Sequence, residues 1–337
     1  MNQLISHSQP TLDNNDLTHI TKLFESKMIS SGRANKKFSE KLSKYLRNDK
    51  VSLFSSASSG LFHILKVLEL GGKTDILLPN YICESVIKAI LLAGFNPVLY
   101  DNKPNSWISD IDIIKNALTT NTGAIIVNHT FGIYFEGTND LVKSGIPIIE
   151  DCCHVLSTSI SDKEISKYSI CSFYSFDSTK WIATGNGGAV ASDDKDFMNK
   201  LESIKVDQGI SDLNCSLGIS QIEKIEEFKS KRAEIAYQYL KNMPYITKEL
   251  MNLKSCFFRF PILVSNNSLF FDSKKVAFRK GVDQLLNNKY NTNTNLINSE
   301  RIFEKTVSIP IYPSLTKDQI QIIINETKKI FYDNSSS

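Results

Sequence analysis

Between residues 51 and 151, short runs of apolar, often β-branched residues are each followed by a turn and then by a longer stretch with apolar residues at helical spacing. VSLF (51–54) leads into SASSGLFHILKVLEL, DILLP (75–79) into CESVIKAILLAGF, and PVLYD (97–101) into DIDIIKNAL. GAIIVNHT (123–130) leads into FEGTNDLVKSG, and IPIIED (146–151) ends in an acid. This pattern indicates βα units around a buried parallel sheet. Residues 1–205 therefore read as one α/β domain whose strands carry polar residues at their carboxyl ends, where such folds bind ligands. From Ser211 a Ser/Asp N-cap opens what reads as a single long amphipathic helix, closing near Pro244 and bridging to a smaller unit over 206–337. Within that unit FFRFPILVS (257–265), VAFRKGVDQLLNN (276–288) and TVSIPIYPSLTKDQIQIIINETKKIF (306–331) suggest an α+β arrangement of two or more strands and two helices. The closing YDNSSS reads as disordered.

Composition narrows the partners. Apolar residues make up 41% and charged residues 22% of the 337 positions, and no apolar run reaches the roughly 20 residues that cross a bilayer. The start, MNQLISHSQPTLDNND, lacks the basic and apolar parts of a signal peptide, so a cytoplasmic location is expected. A net charge of +3 with six arginines gives no broad basic face, which excludes duplex nucleic acid as an expected partner. The six cysteines form no CxxC pair, and adjacent Cys152 and Cys153 cannot easily bridge, so reduced thiols are expected.

Three places hold candidate chemistry, each with a plain alternative. SSASSG (55–60) follows a strand and opens a helix: its backbone N–H groups and the Ser58 and Ser59 hydroxyls suit a phosphate, or merely cap the helix. Asp151 ends an apolar strand and needs a cationic or N–H partner; helix capping, or a metal shared with His154, are the other readings. Lys180 precedes TGNGG rather than following it, so it is no Walker lysine; it is a surface residue or a covalent attachment point. Together these are the parts pyridoxal phosphate requires: a phosphate cradle, an acid for the ring nitrogen and an amine for the aldehyde. His129, in VNHTFG, sits at another strand end with either a core or a substrate-pocket role, while Arg33 and Trp107 read as surface or packing residues.

In order along the chain, SSASSGL, DILLPNYICESVIKAILLAGFNPVLYD, IIEDCCH, SFDSTKWIATGNGGAV and SIPIYPSLTKDQIQIII resemble the motifs of the DegT/StrS sugar aminotransferases. The N-terminal PTLDNNDLTHITKLFESKMISSGRANKKFSEKLSKYL resembles that family's first helices. The resemblance implies a fold-type I α/β enzyme: a large domain with a mostly parallel sheet flanked by helices, and a smaller C-terminal α+β domain. It implies pyridoxal 5'-phosphate bound covalently at Lys180, with Asp151 on the pyridinium nitrogen and His154 near the phenolic oxygen. Ser175, Ser58 and the backbone from Ala57 to Ser59 would hold the phosphate. The implied reaction moves an amino group from glutamate, or glutamine, to a nucleotide-linked keto-deoxy-sugar for surface polysaccharide, in a homodimer. Two departures stand out. Cys83, with Tyr81 nearby, occupies the place of the aromatic residue that stacks on the cofactor, and the segment after Val190 is shortened. A dehydratase of the same fold has histidine at the Lys180 position; a member that binds without turnover is the other alternative.

Overall fold

The computed structural model describes residues 4–30, 32–156, 159–160, 163–205, 209–290 and 295–335. Its strands are β1 (Lys50–Phe54), β2 (Asp75–Pro79), β3 (Asn96–Tyr100), β4 (Thr122–Asn128), β5 (Ile148–Asp151), β6 (Ser159–Ile160), β7 (Lys163–Glu164), β8 (Cys171–Ser175), β9 (Gly188–Ser192), β10 (Phe260–Leu263) and β11 (Thr306–Ile309). Seven of them form one sheet in the order β1-β9-β8-β5-β4-β2-β3. From β8 across to β3 every pairing is parallel, whereas β9 runs antiparallel to both β1 and β8. The apolar runs of the βα units are these strands, buried because helices cover the sheet.

Parallel register brings the polar ends together. Asn128 lies opposite Asp151, and Asp151 opposite Phe173, so one edge of the sheet collects an amide, a carboxylate and a ring. Beside them Ser175 pairs with Gly188 on β9. A Cβ at Gly188 would strike the Ala57 nitrogen and stand 2.5 Å from the Ser56 carbonyl carbon. The missing side chain is what lets β9 pass against the start of the helix Ala57–Val67.

The expected bridging helix is two helices, Asp212–Glu223 and Ile225–Asn242, broken at Lys224. The Lys224 ammonium is drawn to Asp16 at 2.7 Å and Asp13 at 2.9 Å, which ties the break to the capped start of the N-terminal helix Asn14–Ser26. The helix Asp212–Glu223 packs on Asn14–Ser26 and on Arg33–Leu46, across the boundary drawn from sequence at residue 205. The first residues also cross it, because Ile5 bridges in parallel to Val276. Expected disorder from Tyr332 is replaced by helix, which runs on to Ser335. The shortening expected after Val190 involves residues 206–208, which lie outside the described residues.

The smaller unit pairs β10 with β11 antiparallel under the helices Ile225–Asn242 and Lys317–Ser335. Its core takes in Tyr81, Trp107 and Phe131 from the large sheet's loops, so the two units share one apolar cluster. Buried Asn80, just past β2, donates to Asn287 Oδ1 (3.0 Å) and Ser299 Oγ (2.8 Å) and accepts from the Asn287 N–H (2.9 Å). Asp101 accepts from the backbone N–H groups of Asn298 and Ser299, at 2.9 and 2.7 Å. These bonds fix the smaller unit against the carboxyl edge of the sheet.

Candidate active site

A cavity of about 740 Å³ opens at that edge, and Asp151, His154, Ser175, Lys180, Ala57, Ser58, Tyr81 and Cys83 all line it. The side chains come from separate strands and turns, gathered by the parallel register described above. Asp151 is buried, and its Oδ1 accepts the Cys153 N–H at 2.9 Å. Burial pushes its carboxyl above the usual aspartate range; the Cys153 hydrogen bond and the nearby Lys180 ammonium oppose that rise. Lys180 sits on a turn closed by its own N–H to the Asp177 carbonyl (3.0 Å), with Nζ 5.3 Å from the Phe258 ring centroid.

His154 stacks against two aromatic rings, 4.6 Å from Phe258 and 6.3 Å from Phe131, both nearly parallel to it. Its Nδ1 accepts the Phe131 N–H at 3.2 Å, so the neutral ring carries its proton on Nε2. Burial, then Lys180 and Arg259, hold its pKa well below the ordinary histidine value. Phe131 reaches this bond from a left-handed backbone, φ 62°, which a bulky residue rarely adopts. That conformation turns its N–H toward the site.

Two residues named from sequence use their polar atoms inside the protein. His129 has a fully buried side chain whose Nδ1 accepts the Phe135 N–H (3.2 Å) and whose Nε2 faces Glu150 at 3.2 Å, with Tyr134 stacked 5.2 Å away. It borders the cavity, and both of its ring nitrogens have partners inside the protein. Ser59 is absent from the cavity lining: its N–H binds the Ser56 hydroxyl at 3.1 Å and its carbonyl meets His63 Nδ1 at 2.7 Å. Ser56 is the N-cap, and Ser56, Ala57 and Ser58 form the turn that faces the cavity. A run of four serines around Ala57 does not show from sequence which of them caps.

Tyr81 is a wall of the cavity, 1% exposed, with its ring edge-on to Phe131 at 6.2 Å and its hydroxyl against Gly281. Cys83 is exposed and occupies the N-cap position of the helix Glu84–Leu92 without a side-chain capping bond. Sequence reasoning missed His7, Arg259, Arg279 and Lys280, which also line the cavity. An arginine at the mouth of the apolar run FRFPIL was the one available signal, and nothing local marked His7. Among the described residues, His129, Glu150 and Cys152 lie close enough to share an ion, but the histidine and glutamate already hydrogen-bond to each other.

The donor set suits pyridoxal phosphate. A buried carboxylate with a raised pKa calls for a cation such as a protonated ring nitrogen, and Lys180 supplies an amine for the aldehyde. The helix start with Ser56, Ser58 and Ser175 offers N–H and O–H donors to a phosphate.

Comparison with known proteins agrees with this. The chain matches the model of the DegT/DnrJ/EryC1/StrS aminotransferase family over residues 10–328. In solved structures it is similar to PseC of Helicobacter pylori, an aminotransferase of pseudoaminic acid biosynthesis, with 22% identity, 98% and 100% of the two chains covered and a TM-score of 0.88. It is also similar to the pyridoxal-phosphate form of the putative sugar aminotransferase Spr1654 of Streptococcus pneumoniae, at 19% identity, 98% and 99% coverage and a TM-score of 0.88. A third is DesI, determined in the presence of its TDP-sugar product, at 15% identity, 99% and 95% coverage and a TM-score of 0.87. With that match over nearly its whole length, the chain belongs to the DegT/DnrJ/EryC1/StrS aminotransferases, which work with pyridoxal phosphate.

Proposed function

We propose that this aminotransferase moves an amino group from glutamate, or glutamine, to a keto sugar carried on a nucleotide, making an amino sugar for surface polysaccharide. The observation that carries the chemistry is the meeting of Asp151, Lys180 and the Ser56–Ser58 turn in one cavity. That cavity is large enough for a cofactor and a second substrate, and Lys88, Arg279, Lys280 and Lys289 in its lining suit the phosphates of a nucleotide. The likeness to DesI, with its TDP-sugar product, supports the same substrate class.

When bound, pyridoxal phosphate supplies an aldehyde for amines and a ring that takes up an electron pair from the substrate carbon. Asp151, through its buried carboxylate, would hold the ring nitrogen and favour its protonated form. Ser58, Ser175 and the helix start would hold its phosphate. With the cofactor in place, the Lys180 Nζ would be the group available to accept and return the proton at the substrate carbon. His154, neutral with its proton on Nε2, presents a fixed hydrogen-bond donor rather than a charge. Exposed apolar residues on and beside the first helix, Leu12, Leu17, Phe24, Met28 and Ile29, support a homodimer in which a second copy covers them.

Single-turnover spectroscopy with glutamate tests the reading. The cofactor-loaded protein should lose the absorbance of the lysine-linked cofactor at the edge of the visible range and convert to the pyridoxamine form. Lys180→Ala should lack that absorbance from the start. Cofactor binding without conversion by glutamate or glutamine would mark a member that binds without turnover.

A further inference from the structure

The helix Arg33–Leu46 carries its cations on one side. At about 100° per residue, Arg33, Lys36, Lys37, Glu40 and Lys44 fall within a wedge of about 100°, and Arg47 follows at the C-cap. All six are exposed. Among the described residues none of the five cations forms an ion pair, whereas Lys41, on the flank of the same helix, holds Glu223 at 3.0 Å. Five cations less the Glu40 carboxylate leave this face at +4, while the whole chain sums to +3, so everything else balances to −1. The positive charge of the protein is therefore concentrated on one helix.

The opposite side of that helix holds it in place. Phe38, Leu42 and Leu46 are buried, Phe38 meets the Phe176 ring edge-on at 5.3 Å, and a Cβ at Gly218 would stand 2.6 Å from the Phe38 ring. The Asp212 carboxylate accepts the N–H groups of Gly32, Ala34 and Asn35 at 2.9, 3.2 and 2.8 Å, which fixes the first turn. The cations thus stand on a rigid line about 20 Å long, with no apolar side chain among them.

This shape selects the partner. None of the six residues lines the cavity, so no small anion is enclosed there. The row holds no aromatic ring on which a base could stack, and it is one helix wide rather than a broad basic face. A second copy is disfavoured by symmetry, because a twofold contact centred on this face would set five cations against the same five. A planar layer of phosphate headgroups, by contrast, offers each flexible lysine and arginine its own counter-charge. No helix among the described residues is long and apolar enough to cross a membrane, so such contact is peripheral. Without an apolar edge it depends on charge alone.

We propose that the exposed face of the helix Arg33–Leu46, extended by Arg47, docks the enzyme on a membrane surface rich in anionic phospholipid. The docked face leaves the cavity unobstructed by its own side chains.

The test is cosedimentation of the full-length, cofactor-loaded protein with vesicles of phosphatidylcholine alone and of phosphatidylcholine mixed with phosphatidylglycerol. At about fivefold per unit of charge, wild type should prefer the anionic vesicles on the order of several hundredfold at low salt. Raising the salt from about 0.1 to 0.5 M should release it. Lys36→Gln, Lys37→Gln and Lys44→Gln combined should weaken the binding about a hundredfold, and Arg33→Gln with Arg47→Gln should independently weaken it about twenty-five-fold. Lys66→Gln, Lys115→Gln and Lys241→Gln remove the same charge as the first set from exposed positions elsewhere and should leave the binding nearly unchanged. Wild-type urea midpoints and pyridoxal phosphate affinities in every variant provide the folding control. Equal binding to the two kinds of vesicle, or equal losses in the two lysine triples, would overturn the assignment. Tighter binding to duplex DNA or to polyglutamate than to the anionic vesicles at the same salt would also overturn it, in favour of a polyanionic macromolecule.

Discussion

Replacing Gly188 by alanine tests whether the cofactor cradle depends on backbone contact between β9 and the helix Ala57–Val67. The added Cβ would strike the Ala57 nitrogen and stand 2.5 Å from the Ser56 carbonyl carbon and 2.8 Å from the Ala57 Cα. All of these are backbone atoms, so no rotamer change gives relief. β9 is held on both sides by β1 and β8, which leaves the helix start to retreat by roughly an ångström. Overpacking of this kind costs about 3 kcal/mol, at the upper end because backbone meets backbone. The retreat also carries Ala57 and Ser58 away from the phosphate, so the affinity for pyridoxal phosphate should fall by about tenfold for each 1.4 kcal/mol of lost contact. Urea unfolding of the apo-protein and a spectroscopic cofactor titration read the two effects separately. Gly145→Ala is the matched control: its φ of 69° is strained for alanine but no atom lies within 4 Å, so about 1 kcal/mol of stability and no cofactor affinity should be lost. Wild-type stability and affinity in Gly188→Ala would refute the close-passage argument.

Other outcomes follow from the same contacts. Both His7 and His154 have pKa values depressed below 6.5, first by burial, so the unfolded chain binds protons that the folded one refuses. Their contribution is complete above pH 6.5 and is lost as the pH falls below it, by about 1.4 kcal/mol per pH unit for each histidine until its folded pKa is reached. Asp151, raised by burial, acts in the opposite sense just above 3.8 and offsets part of the loss. Urea midpoints measured from pH 7 to 5 should fall less steeply in His7→Gln, and an identical slope would refute this. Asn80→Ala removes three buried hydrogen bonds and leaves the Asn287 N–H and Oδ1 unpaired, an expected loss of about 2 to 4 kcal/mol by urea unfolding. A change below half a kcal/mol would show that Asn80 does not hold the smaller unit in place.

Much of the sheet was readable from the chain because a strand buried on both faces must be apolar throughout, as DILLP and GAIIVN are. Asp151 was readable for the complementary reason, since a charged group at the end of such a run is costly unless it has work to do, while Lys180 became readable only in combination with Asp151 and the serine-rich turn. The remaining features depend on partners distant in sequence. His129 looks identical whether its ring faces a substrate or Glu150, and only the fold brings Glu150 and the Phe135 N–H to its two nitrogens. The helix break at Lys224 arises from carboxylates at Asp13 and Asp16, more than two hundred positions earlier, which no local periodicity reports. Arg259 and His7 meet across an interval just as long, so neither residue's neighbours mark it.

The bond between His7 and Ser308 spans 301 positions, and it has a consequence for synthesis. At roughly 5 to 20 residues per second a ribosome needs about 15 to 60 s to make that interval, and for all of it His7 has no Ser308 to pair with. Lys180 and Asp151 are both made within that interval, before the partner of His7 exists. His7 can take its native place only once the far end of that interval has been made, so the opening residues close the pocket across almost the whole chain.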